Sequence, residues 1–134
     1  MGIILAPISL FLLIIVFTLE TIFSMFFNVN NKKWFKLYSS RMYRKAKLID
    51  IFSNYLFPDL WNWMYSIKGT NYKFGKLGET LSSVLGKKME EKSLSFIGKT
   101  FYYILYAVDF DSWKYGGHCK RWIMNEEEIK KITN

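Results

Sequence analysis

Cysteine is nearly missing from this chain. Cys119 is the only one, so no disulfide can close within the molecule. That fits a reducing compartment without requiring one. Histidine is equally scarce, and the single residue, His118, is the direct neighbour of Cys119. As a nucleophile and base, two adjacent residues make a poor Cys–His pair. As metal ligands, Glu79, His118 and Cys119 supply at most three donors of mixed type, and a closed structural zinc site wants four. Their spacing matches no standard zinc pattern. The sequence also lacks a glycine-rich phosphate loop, a paired-carboxylate signature and an internal repeat. We therefore expect neither a metal nor a cofactor.

Charge is missing from one end. Ile3 to Phe27 holds 25 residues with a single charge, Glu20, and no Lys or Arg precedes it. A bilayer-spanning helix needs about 20 mostly apolar residues. A buried helix in a small domain would not be apolar on every side over such a length. Pro7 lies near the start, where proline disturbs a helix least. A cleavable leader would begin with basic residues and end at a small-residue site, whereas this run ends Ser24-Met25-Phe26-Phe27. The expectation is an uncleaved transmembrane anchor over 1–30. Glu20, near its far end, either snorkels or is protonated there, or meets another helix or a polar cavity.

Acidic residues are outnumbered, 11 to 19, which leaves a net charge of +8. Basic excess alone suits nucleic acid or an anionic membrane. Its placement separates the two. Lys32, Lys33, Lys36, Arg41, Arg44, Lys45 and Lys47 all follow the apolar run directly. By the positive-inside rule the C-terminal part is cytoplasmic and the N-terminus outside. Phe35, Tyr38, Met42, Ala46 and Ile49 recur at helical spacing. Lys33, Lys36, Ser40, Arg44 and Lys47 keep the same rhythm on the opposite face. Residues 31–50 thus read as an amphipathic helix lying in the interface against anionic head groups, each basic residue contributing about 1 kcal/mol. Next to a span, this favours lipid over nucleic acid.

The remaining 31–134 has room for one small domain. Tyr55, Phe57, Trp61, Trp63 and Tyr65 crowd eleven residues, as at a membrane–water boundary or in an aromatic core. Pro58 and Asp59 interrupt the run, and Asp59 can cap a helix from Leu60. Gly69 to Gly78 reads as a loop, Glu79 to Leu85 as a short helix ended by Gly86, and Lys87 to Lys92 as a charged link. Ser93 can cap a helix over 94–108, whose apolar side is Leu94, Ile97, Phe101, Ile104, Leu105 and Val108. Fifteen residues including Lys99 are too few to span comfortably. Asp109, Asp111, Gly116 and Gly117 mark a turn. Asn125 caps a last helix with Glu126, Glu127 and Glu128 at its positive end.

Glu79, Thr80, Ser82, Ser83 and Gly86, followed by Gly117, His118 and Cys119, form a pattern. Over residues 78–121 it resembles a family of small tailed-phage and prophage proteins that carry Asp-Glu-Thr-(Ile/Leu)-Ser-(Ser/Ala)-Arg-x-Gly-Arg and then, past an apolar helix, Gly-His-Cys. This chain has Gly78 in place of Asp, Val84 in place of Arg and Lys87 in place of Arg. The resemblance implies a phage origin more than an activity.

The fold expected is all-α: one N-terminal transmembrane helix, then a small membrane-associated helical domain. The leading function is a non-enzymatic, membrane-anchored accessory protein acting at the host inner membrane, with the lipid bilayer and a membrane protein as partners. One alternative is a membrane-bound enzyme using Glu79, His118 and Cys119. Another is a subunit of a larger membrane complex. In the structural reading of the motif, Glu79 and Thr80 open a helix, Ser82 and Ser83 satisfy backbone groups, Cys119 is a small buried apolar residue, and His118 bonds to Glu79 or a carbonyl.

Overall fold

A run of long, mostly unbroken helical periodicity at the N-terminus and shorter capped segments after it define the architecture. A computed structural model describes residues 2–27 and 34–134, with side chains described from 11 to 26 and from 38 onward. The fold is all-α. Helices α1 (Gly2–Phe27), α2 (Trp34–Leu56), α3 (Pro58–Tyr65), α4 (Leu81–Glu90) and α5 (Phe96–Val108) are followed by a 3-10 turn (Phe110–Tyr115), α6 (His118–Arg121) and α7 (Glu126–Thr133). Among the described residues there is no strand, only one isolated antiparallel bridge between Ser66 and Leu94. Two compact units divide the chain, Met1–Arg44 and Lys45–Asn134, with the boundary inside α2.

The first unit contains α1 and the start of α2. Along α1 most side chains from Phe11 to Phe26 are apolar and exposed, with Thr18, Glu20, Thr21 and Ser24 the polar ones among them. Thr18 and Thr21 turn their hydroxyls back onto the carbonyls of Ile14 and Phe17, so neither presents an unsatisfied polar group. Among the described residues no helix is long and apolar enough to cross a membrane. The transmembrane span expected over 1–30 is therefore not shown. Of the basic flank, Lys32 and Lys33 lie outside the described residues, as does the side chain of Lys36. Arg41, Arg44, Lys45 and Lys47 are on α2.

The second unit is built around aromatic stacking. Tyr65 stacks on Trp61 and on Phe101, each with ring centroids 5.3 Å apart, and meets Phe74 edge-on at 6.0 Å. Val84, Leu85, Leu94 and Tyr102 complete this core. The aromatic run at 55–65 is therefore divided by helical phase. Trp61 and Tyr65 enter the core, whereas Tyr55 and Trp63 face outward. Helix α2 lays Asp50, Ile51 and Asn54 against the unit, while Leu48, Ile49, Phe52 and Leu56 stay exposed.

Several element expectations are corrected. Proline at the first position lets α3 begin at Pro58, so Asp59 lies in its first turn and is not its cap. Helix α4 runs through Gly86 to Glu90, absorbing most of the expected charged link. Gly86 is a packing glycine: a Cβ there would lie 2.6 Å from the carbonyl oxygen of Cys119 and 2.8 Å from Ile123. Lys88 in that segment is fully buried, bonded to Thr70 at 3.0 Å with its ammonium 5.5 Å from the Phe74 ring, and burial lowers its pKa. Helix α5 is capped by Ser95, not Ser93, because Leu94 is taken up by the bridge to Ser66. Its inner face is Gly98, Phe101, Tyr102 and Leu105, while Ile97, Ile104 and Val108 point outward. The Asn125–Glu128 capping box opens α7 as expected.

Gly86→Ala should cost about 3 kcal/mol, since a fixed backbone carbonyl blocks the added methyl. Gly69→Ala meets nothing within 4 Å and should cost only about 1 kcal/mol, from its left-handed backbone. Urea unfolding of the two variants in mild detergent checks the order.

Candidate functional site

Helix α4 begins with Thr80 as its cap, the Thr80 hydroxyl accepting the Ser83 amide. This turn places the three neighbouring motif residues in different surroundings. Glu79, just outside the helix, is fully buried. Its carboxylate accepts hydrogen bonds from the Tyr72 hydroxyl at 2.6 Å and the Ser83 hydroxyl at 2.7 Å, and it pairs with Lys87 at 2.6 Å. Lys87 also reaches the Tyr72 oxygen at 2.8 Å. Burial, then the bond and the negative charge of Glu79, push the Tyr72 phenol well above its ordinary value. Ser83 accepts the Met124 amide at 3.0 Å, joining the C-terminal segment to the cluster. Asn54 holds the adjoining loop, donating to the carbonyl of Glu79 and accepting the amide of Gly75.

Ser82 points elsewhere. Its hydroxyl lies 3.2 Å from Nε2 of His118. The other ring nitrogen, Nδ1, lies 2.7 Å from Oδ2 of Asp109. That same Asp109 oxygen accepts the Ser112 hydroxyl at 2.6 Å, and Arg121 donates to Ser112. Partial burial disfavours the Asp109 charge, but the bonds from Ser112 and His118 and the nearby cations hold its carboxyl below the usual range. Asp50 of α2 closes the other side, its Oδ2 accepting the Ser82 amide at 3.4 Å. Burial raises the Asp50 pKa, outweighing the hydrogen bonding that opposes it.

Glu79, His118 and Cys119 are thus not gathered into one site. Glu79 belongs to the Lys87 cluster, and His118 to Ser82 and Asp109. Cys119 is a core residue whose thiol is pushed up to about 12, chiefly by burial, and carries almost no thiolate at neutral pH. Among the described residues no group of His, Cys, Asp and Glu could hold a metal ion. In place of the expected Glu79 or carbonyl, His118 has Ser82 and Asp109 at its two ring nitrogens. Gly117, with φ of +102° and the Tyr106 ring against it, sets where His118 begins α6. That glycine next to the one histidine was the available signal. No family model, no curated protein and no solved structure matches this chain.

Removing one half of the buried ion pair should be costly. Lys87→Met leaves the Glu79 carboxylate without its cation and should destabilise by about 3–5 kcal/mol, while Lys87→Met with Glu79→Gln should recover part of the loss. Chemical unfolding of both variants is the measurement.

Asp50 makes a pH-dependent contribution of known sign. A carboxyl whose folded pKa is raised contributes stability below its unfolded value, and loses it as pH rises through the folded value. Asp50→Asn should therefore gain stability relative to the parent at pH 7 and lose that advantage toward pH 4, about the unfolded Asp value, in thermal melts at the two pH values.

Proposed function

We propose that this chain is a membrane-anchored protein whose second unit works at the cytoplasmic surface of a bilayer through contacts with anionic lipid. The observation that carries the reading is α1. It is a 26-residue helix, about 39 Å long at 1.5 Å per residue, and most of the side chains described along it are apolar and exposed, Glu20 being the one charge among them. A helix of this kind in water would leave its whole apolar surface hydrated, at about 25 cal/mol per Å². Lipid removes that cost. The one-sided placement of Arg41, Arg44, Lys45 and Lys47 after it supports a cytoplasmic second unit.

The outward surface of the second unit supports the same reading. Trp63 is 80% exposed, Phe96 85%, Val108 71% and Phe110 70%, more apolar exposure than a soluble unit this small normally carries. Helices α3 and α5, which hold Trp63, Phe96 and Val108, pack against each other. The motif's resemblance to phage proteins makes a host inner membrane the bilayer we propose, with the protein serving there as an accessory factor.

The full-length protein should remain in the pellet after alkaline carbonate washing of membranes, and a C-terminal tag should be shielded from protease in intact cells. Release into the supernatant would refute the anchor. On adding anionic vesicles, peptides covering 96–108 should gain protection from hydrogen exchange, and neutral vesicles should give less.

A further inference from the structure

We propose that Ser82, His118 and Asp109 form a serine-nucleophile site that transfers the acyl group of a small carboxylic ester to water. The proposal stands on geometry within the second unit and does not depend on the membrane reading. The two ring nitrogens of His118 face opposite partners, Ser82 Oγ at 3.2 Å and Asp109 Oδ2 at 2.7 Å. This is the connectivity in which a histidine serves as base to a hydroxyl while a carboxylate fixes its tautomer. Each member is held by its own element. Ser82 occupies the second position of α4, His118 the first position of α6, and Asp109 the C-cap of α5. Asp109 is in turn fixed by Ser112.

Asp50 of α2 faces the start of α4 beside this pair, its Oδ2 accepting the Ser82 amide at 3.4 Å. That amide, at the positive end of α4, is the donor that an ester carbonyl oxygen would take over as negative charge develops on it.

The chemistry balances with ester and water alone. Ser82 Oγ bonds to the carbonyl carbon as its proton passes to Nε2 of His118. The carbon–alkoxy bond then breaks, and the leaving alcohol takes that proton. Water repeats the sequence on the acyl-serine, releasing a carboxylic acid and restoring Ser82. His118 acts on the reacting hydroxyl, while Asp109 is a positioning residue acting through His118.

The test uses the full-length protein in mild detergent with p-nitrophenyl acetate and a fluorophosphonate probe, followed by peptide mapping. We expect one acetyl or phosphonyl group on the peptide containing Ser82. Ser82→Ala should lose it, and His118→Gln should slow acylation by about 10³-fold. Asp109→Asn should lower the maximal acylation rate while leaving the half-saturating ester concentration unchanged, a split that a merely structural residue would not produce. Because the mapping is made on the unaltered chain, it does not depend on the variants folding. Asp50→Ala vacates the Ser82 amide and provides a second protein for the same mapping. Absence of a Ser82 adduct in both the parent and Asp50→Ala, or modification confined to lysines, would overturn the proposal.

Discussion

A carboxylate taken wholly out of water must be matched by a cation and by hydrogen bonds, and Glu79 imposes that condition on this fold. Lys87, one helix face along α4, supplies the charge, and Tyr72 and Ser83 supply the bonds. Meeting the condition pins the loop before α4 to the helix itself. Ser83 then passes the constraint to Met124, and Asn54 passes it from the Glu79 carbonyl to Gly75. The start of α4 is thereby held from three directions. Ser82 inherits its position from that arrangement, which is why its hydroxyl meets His118 while its amide meets Asp50.

The rest of the unit divides by surface. Its interior is a stack of Trp61, Tyr65 and Phe101 closed by Phe74. Its outside keeps aromatic and aliphatic side chains that this interior has no room to bury. Taken with a mostly apolar first helix and a basic flank, such an exterior supports the contact with lipid that we propose. The same physics places the charged α7, with its three glutamates and its capping box, toward water.

Helical class, the C-terminal cap and the burial of Cys119 were legible in the sequence, because each is set by neighbours three or four residues away or by composition. The turn at Gly116 and Gly117 was legible for the same reason, and both glycines have positive φ. What escaped depended on distant partners. Gly86 looks like a helix terminator until the Cys119 carbonyl is known to press against it. Lys88 looks like a solvated lysine until Thr70 and the Phe74 ring are placed around it. The outward Ile97, Ile104 and Val108 sit at core-like spacing, yet Gly98 and Tyr102 form the face that is buried. Ser82 and His118 stand out by motif, but Asp109 and Asp50 join them only through contacts between α2, α4, the end of α5 and α6.

Depth measurement by electron paramagnetic resonance tests the membrane account most directly. Nitroxide labels would be placed on Ile15→Cys, Ile97→Cys and Glu127→Cys, with buried Cys119 protected from the reagent. The account predicts that the label at 15 collides mainly with oxygen, as in hydrocarbon, that the label at 97 reports head-group depth, and that the label at 127 collides with a water-soluble relaxant. A label at 15 as open to the water-soluble relaxant as the label at 127 would contradict it.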